Sequence, residues 1–192
     1  MKIAIIDLGT NTFHLLISEA TEQGYRAVTS KRVYVKLSDG GLQTRSITPA
    51  AQQRALEAMG VFKKLMDEYE VKHVRAVATS AMRNANNAAT LLQTIQDQTG
   101  IAVEVISGTQ EAACIYRGVK EAVQFNQDIA LIMDIGGGSV EFILCNAQKA
   151  LWDQSFNIGA QRLLATFHQH DPILPQELRR LEQYLEEKLS PL

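Results

Sequence analysis

Residues 134–141 read DIGGGSVE: Asp134, an isoleucine, Gly136, Gly137, Gly138, Ser139, a valine and Glu141, set between a run of apolar residues and an alternating one. Glycine takes positive φ freely and exposes its amide without a Cβ. Such a turn can point successive N–H groups into one concavity, a nest for phosphate oxygens. The Ser139 hydroxyl adds a neutral donor. Asp134 cannot bind phosphate directly, because like charges repel, but it can hold a divalent cation or the water shell that meets the phosphate. Ser139 and Glu141 are two apart on a strand and therefore share a face. The chemistry on offer is phosphate binding without a lysine. A P-loop needs GKS or GKT, and a dinucleotide-binding turn needs a helix directly after its glycines, where VEFILC reads as strand.

The pattern occurs twice. IAIIDLGTNTFHLLI, residues 3–17, aligns with ALIMDIGGGSVEFIL, residues 130–144, and places Asp7 on Asp134, Gly9 on Gly136, Thr12 on Ser139 and His14 on Glu141. Each copy is four apolar residues, Asp, an apolar residue, Gly, two linkers, a hydroxyl residue and an alternating strand. One such hairpin can arise from turn formation alone. Two in register, each opening a β-meander, indicate two related lobes.

The elements that must carry these residues follow from periodicity. The first segment reads as strand (Lys2 to Asp7), turn, strand (Phe13 to Glu19), turn near Gly24 and an extended stretch through Leu37, with SDGGL as the loop after it. Thr48 and Pro49 mark a helix start, and Ala55, Met59, Phe62, Met66 and Tyr69 form one apolar stripe ending near Glu70. The order then becomes strand (His73 to Thr79), a helix closed by Gly100, strand (Ala102 to Ile106), and a helix to about Val123. That last helix opens on a capping box, Ser107 with Gln110. Gln124 to Asp128 is polar and aperiodic, the best position for a joint between lobes 1–124 and 125–192. Beyond it come strand (Ile129 to Asp134), the glycine turn, strand (Val140 to Cys145), strand (Ala150 to Phe156), a helix from Gly159 to His168 and a charged helix after Pro175.

Composition excludes several classes. A formal net charge of −2 over 192 residues gives no global field for nucleic acid or membrane. A polyanionic ligand would need positive charge gathered locally. Cys114 and Cys145 have neither metal spacing nor a second pair, and no stretch approaches the ~20 apolar residues of a membrane helix, so the reducing cytoplasm is the expected location.

Five blocks, AIIDLGTNTFHLLI, AVATSAMRNANN, VISGTQEAACIYRGV, IMDIGGGSVEFIL and FNIGAQRL, resemble the exopolyphosphatase and guanosine pentaphosphate phosphohydrolase (Ppx/GppA) family of the actin, sugar kinase and Hsp70 superfamily. The resemblance implies an α/β fold of the actin-like ATPase (ribonuclease H-like) type, with duplicated β-meander plus βαβα lobes and a second lobe incomplete by roughly a hundred residues. It implies a Mg²⁺-dependent hydrolase that releases the terminal phosphate of inorganic polyphosphate. The alternatives are guanosine pentaphosphate (pppGpp) hydrolysis or a non-catalytic sensor of phosphorylated ligands. By position, Asp7, Gly9, Thr10, Asn11 and Thr12 would form the first phosphate loop and Gly136, Gly137, Gly138 and Ser139 the second. Arg83 would bind phosphate, Glu111 would orient and deprotonate water, and Asp134 and Glu141 would hold Mg²⁺. Glu111 in the first turn of a capped helix suits a base, since the helix dipole favours its ionised form. Arg162 is open between a structural and a ligand role, and a homodimer is open too. His14 stands where many relatives carry arginine, and Thr109 and Gln110 replace acids that often precede the glutamate.

Overall fold

The computed structural model describes residues 1–41 and 44–192; Leu42, the last residue of the SDGGL loop reading, lies outside them. Packing divides the chain into two compact units, Met1–Ile106 and Ser107–Leu192.

In the first unit, strands β1 (Lys2–Leu8), β2 (Thr12–Thr21) and β3 (Gly24–Tyr34) form the expected antiparallel meander. Strands β4 (His73–Ala78) and β5 (Val103–Val105) extend it in parallel beyond β1, giving the order β3-β2-β1-β4-β5. Parallel pairing needs crossovers, and helices supply them: α1 (Pro49–Glu68), α2 (Ser80–Asn84) and α3 (Ala88–Thr99). Helix α1 starts where Thr48 Oγ1 accepts the Ala51 amide at 3.3 Å with Pro49 behind it. Helix α3 ends at Gly100, whose φ of 72° is the left-handed cap that glycine adopts without strain. Alternate residues of the meander, Ile6, Leu8, Phe13, Leu15 and Ile17, are buried with Met59 and Phe62 of α1 and Leu91 and Ile95 of α3. That core fixes the strand ends on which the first turn sits.

The second unit begins with α4 (Gly108–Ala122), followed by strands β6 (Ala130–Ile135), β7 (Val140–Cys145) and β8 (Ala150–Phe156), then α5 (Ala160–Phe167) and α6 (Pro175–Leu189). The three strands are antiparallel in sequence order. One face carries Ile143 and Cys145 against Ala112 and Tyr116 of α4, with the Tyr116 hydroxyl donating to Asn146 O at 3.0 Å. The other carries Val140, Phe142 and Phe156 against Leu163 of α5 and Tyr184, Leu185 and Leu189 of α6. Strand β7 is thus covered on both faces, which is why VEFILC is nearly continuous in apolar residues. The apolar stripe of α4 settles on this sheet, so the packing division falls ahead of α4, and the polar stretch Gln124–Asp128 follows it within the second unit.

Candidate active site

The duplication seen in the sequence is a duplication of geometry. Asp134 lies opposite Glu141 and Ile135 opposite Val140 across β6 and β7, as Asp7 lies opposite His14 and Leu8 opposite Phe13 across β1 and β2. Each turn is closed by one equivalent bond, Gly136 N to Ser139 O at 3.0 Å and Gly9 N to Thr12 O at 3.1 Å. A Cβ on Gly9 would sit 2.9 Å from Thr12 O, so the first turn has no room for a side chain there.

In the second unit the loop is held from behind. Gly136 O accepts Ala160 N at 2.9 Å, Gly137 O accepts Gln161 N at 2.9 Å and Arg162 N at 3.2 Å, and Gly138 O accepts Arg162 Nε at 3.2 Å. A peptide plane carries its N–H opposite its C=O. Fixing these carbonyls toward α5 therefore turns the amides of Gly137, Gly138 and Ser139 the other way, as an anion nest requires. Ser139 is buried, and Glu141 is only 1% exposed.

Glu141 accepts the Ser155 hydroxyl at 2.7 Å on Oε1. Directly opposed carboxylates repel across a ladder, and Asp134 stands opposite Glu141. One hydroxyl does not neutralise such a pair, whereas a hard divalent cation does, so the donor set fits an oxygen-liganded ion. Among the described residues no three His, Cys, Asp or Glu side chains cluster as metal ligands. An ion held here would complete its shell with water and phosphate, the usual arrangement for Mg²⁺.

Glu111 is carried by α4 in this same unit. The capping box is present as read from the sequence, with Gln110 N donating to Ser107 Oγ at 3.1 Å and Ser107 N to Gln110 Oε1 at 2.8 Å. Gly108 passes so near β8 that a Cβ on it would lie 2.5 Å from Ser155 Cβ. The residue that bonds Glu141 therefore also seats the first turn that bears Glu111. Gln110 does the work of the cap.

In the first unit, Thr10 is buried and Asn11 half-buried, and Asn11 Oδ1 is a buried acceptor with no hydrogen-bond partner among the described residues. Such an atom costs free energy until water or ligand supplies a donor. Arg83 lies in the last turn of α2, a five-residue helix the periodicity did not reveal. Its Nη1 donates to Ile106 O at 2.9 Å. Asp7 and Asp134 are solvent-exposed at their strand ends.

Residues 16–192 match the Ppx/GppA phosphatase family. The chain belongs to that family. It is 43% identical to the crystal structure of an exopolyphosphatase from Cytophaga hutchinsonii, with a TM-score of 0.96 over 100% of this chain and 61% of that one. An Aquifex aeolicus PPX-GPPA enzyme is 30% identical, with a TM-score of 0.79 over 100% of this chain and 64% of that one. Among curated relatives, a guanosine-5'-triphosphate,3'-diphosphate pyrophosphatase of Vibrio vulnificus is 31% identical over 164 residues, 85% of this chain and 33% of its own length. A bifunctional 3-dehydroquinate synthase/phosphatase of Fusobacterium nucleatum is 33% identical over 172 residues, 85% of this chain and 26% of its own length. The chain thus spans a third or less of these two curated relatives. In fold alone it is similar to the PilM–PilN type IV pilus biogenesis complex, at 10% identity and a TM-score of 0.56 over 97% of this chain and 71% of that one. The duplicated meanders of this family member are those of the actin-like ATPase fold.

Sequence reasoning missed two residues of the site, Ser155 and Gly159, and left the role of Arg162 open. Ser155 gave no motif, and its signal was only its place opposite Glu141 once the β7–β8 register is set. Gly159 and Arg162 lay in a recognised block, but their contacts run 24 residues back along the chain for Arg162 and Gly138. No described helix is long and apolar enough to cross a membrane.

Proposed function

We propose that this chain carries the reacting groups of a Mg²⁺-dependent phosphoanhydride hydrolase that releases the terminal phosphate of inorganic polyphosphate in the cytoplasm. The observation that supports this reading most is the second unit: an amide nest, an opposed carboxylate pair and a capped first-turn glutamate, joined through Ser155. Phosphoryl transfer to water needs positioning and charge neutralisation rather than covalent help. In this assignment Glu111 accepts a proton from water as its oxygen attacks the terminal phosphorus. The bridging P–O bond breaks, and its electron pair stays on the penultimate phosphate. Amides of Gly137, Gly138 and Ser139 donate to non-bridging oxygens, where developing charge rewards preorganised donors, and Asp7, Gly9, Thr10, Asn11, Thr12 and Arg83 are assigned as phosphate-binding residues of the first unit. Asp134 and Glu141 would hold Mg²⁺, which supplies neutralisation of the phosphate oxygens when bound.

The Vibrio relative, a guanosine-5'-triphosphate,3'-diphosphate pyrophosphatase, supports a second substrate, pppGpp, for the same groups. The 43% identity to the Cytophaga exopolyphosphatase favours polyphosphate. Phosphate release measured with Mg²⁺ on each substrate separates the two. Glu111→Gln should lower kcat on the preferred substrate by about 10²–10⁴-fold, the usual contribution of a general base. Unchanged turnover in that variant would overturn the mechanism.

A further inference from the structure

Both turns are gripped on their carbonyl side by the segment that follows their own meander, and each grip includes an arginine from the next helix. In the second unit the grip is direct, through Ala160, Gln161 and Arg162 at the start of α5. In the first unit, Thr10 O accepts Leu37 N at 2.8 Å, and Asn11 O accepts Val35 N at 3.0 Å and Lys36 N at 2.9 Å. Those strapping peptides are themselves held by Arg54 of α1, whose Nε donates to Val35 O at 2.7 Å and whose Nη2 donates to Lys36 O at 3.1 Å. Thr10 and Asn11 are the residues that the repeat aligns with Gly137 and Gly138.

We propose that Arg162 and Arg54 are paired positioning residues, which fix the peptide planes of the two turns so that their amides stay turned toward phosphate. The inference rests on the phosphate-binding reading of the turns and adds to it a positioning role for two arginines. Arginine suits the task because its planar fork bonds carbonyls at fixed angles. Each grip stops peptide planes from rotating. A rotated plane would replace a donor with a carbonyl oxygen facing the phosphate, which is repulsive. A lysine in either position keeps the charge but has neither Nε nor the rigid fork. The Arg162 bond would then be lost or made in a shifting geometry.

The test uses the full chain, ¹⁵N-labelled, with inorganic tripolyphosphate as probe, comparing wild type, Arg162→Met and Arg162→Lys. Without probe, Arg162→Met should move the amide resonance of Ser139, which shares a peptide with Gly138 O, while resonances of the first unit stay in place. With probe, the wild type should show shifts at Gly137, Gly138 and Ser139. Arg162→Met should bind about tenfold more weakly, as expected for one lost polar contact to the loop. Arg162→Lys should recover only part of the loss. Wild-type binding matched by Arg162→Met, or an unmoved Ser139 resonance in that variant, would overturn the positioning role. Absence of turn shifts in the wild type would instead overturn the phosphate reading on which it rests.

Discussion

Gly159→Ala should destabilise the second unit although the backbone there suits alanine. Gly159 has φ −63° and ψ 156°, ordinary extended geometry, so removing glycine's conformational freedom from the unfolded chain would by itself stabilise by about 0.4–1 kcal/mol. Space decides the sign. An added Cβ would lie 2.5 Å from Gly137 C and Gly138 C, and closer to Gly138 N, all of them backbone atoms with no flexible end to move aside. The start of α5 must retreat from the loop. That costs about 1–3 kcal/mol in overpacking. It also weakens the bonds from Ala160 N and Gln161 N, each about 1 kcal/mol net. The balance is a loss of about 2–4 kcal/mol. At an m-value of about 2 kcal/mol per molar urea, the midpoint falls by about 1–2 M. Trp152, the only tryptophan, lies on β8 in this unit, so its fluorescence in urea reports the right transition. Gly118→Ala, in the interior of α4 with nothing within 4 Å of its added Cβ, is the control and should raise the same midpoint by the equivalent of about 0.5–1 kcal/mol. A Gly159→Ala midpoint equal to or above that of the wild type would refute the tight apposition of α5 and the glycine turn.

Two other outcomes follow from local geometry. Ser107→Ala removes the cap on which the first turn of α4 depends and should cost about 1 kcal/mol by the same fluorescence assay, and an unchanged midpoint would count against the cap. Glu177 is buried at the start of α6, and the Leu174 amide foremost, then His170 at 2.7 Å, holds its carboxyl below the ordinary value of 4.5. Since the folded state binds the proton less well, this contribution is complete above that ordinary value and is lost as pH falls through the lowered one. The urea midpoints of wild type and Glu177→Gln should therefore converge on acidification, and a gap independent of pH would contradict the assignment.

The Asp-x-Gly turns were legible because two independent signals coincided, the strand alternation and the repeat in register. The capping box was legible because it is local, spanning Ser107 to Gln110. Helix α2 was not, since five residues are too few to show a period. The choice of sheet made by α4 was not, because a stripe such as Ala112 and Tyr116 states that a face is buried but not against what. Arg162 exposes the same limit at the site itself. Its role depends on a carbonyl contributed by Gly138, and that proximity exists only once β8 has returned alongside β7 and delivered the chain to α5. Nor was the contact of His170 with buried Glu177 across the turn before α6 legible, since no local pattern announces it.

Direct attack by water on the terminal phosphorus is the central claim, and turnover of inorganic polyphosphate with Mg²⁺ in ¹⁸O-enriched water tests it most directly. The account predicts that each phosphate released carries one solvent oxygen and that the shortened chain ends carry none. Label on the remaining chain end, release without label, or no release would contradict it.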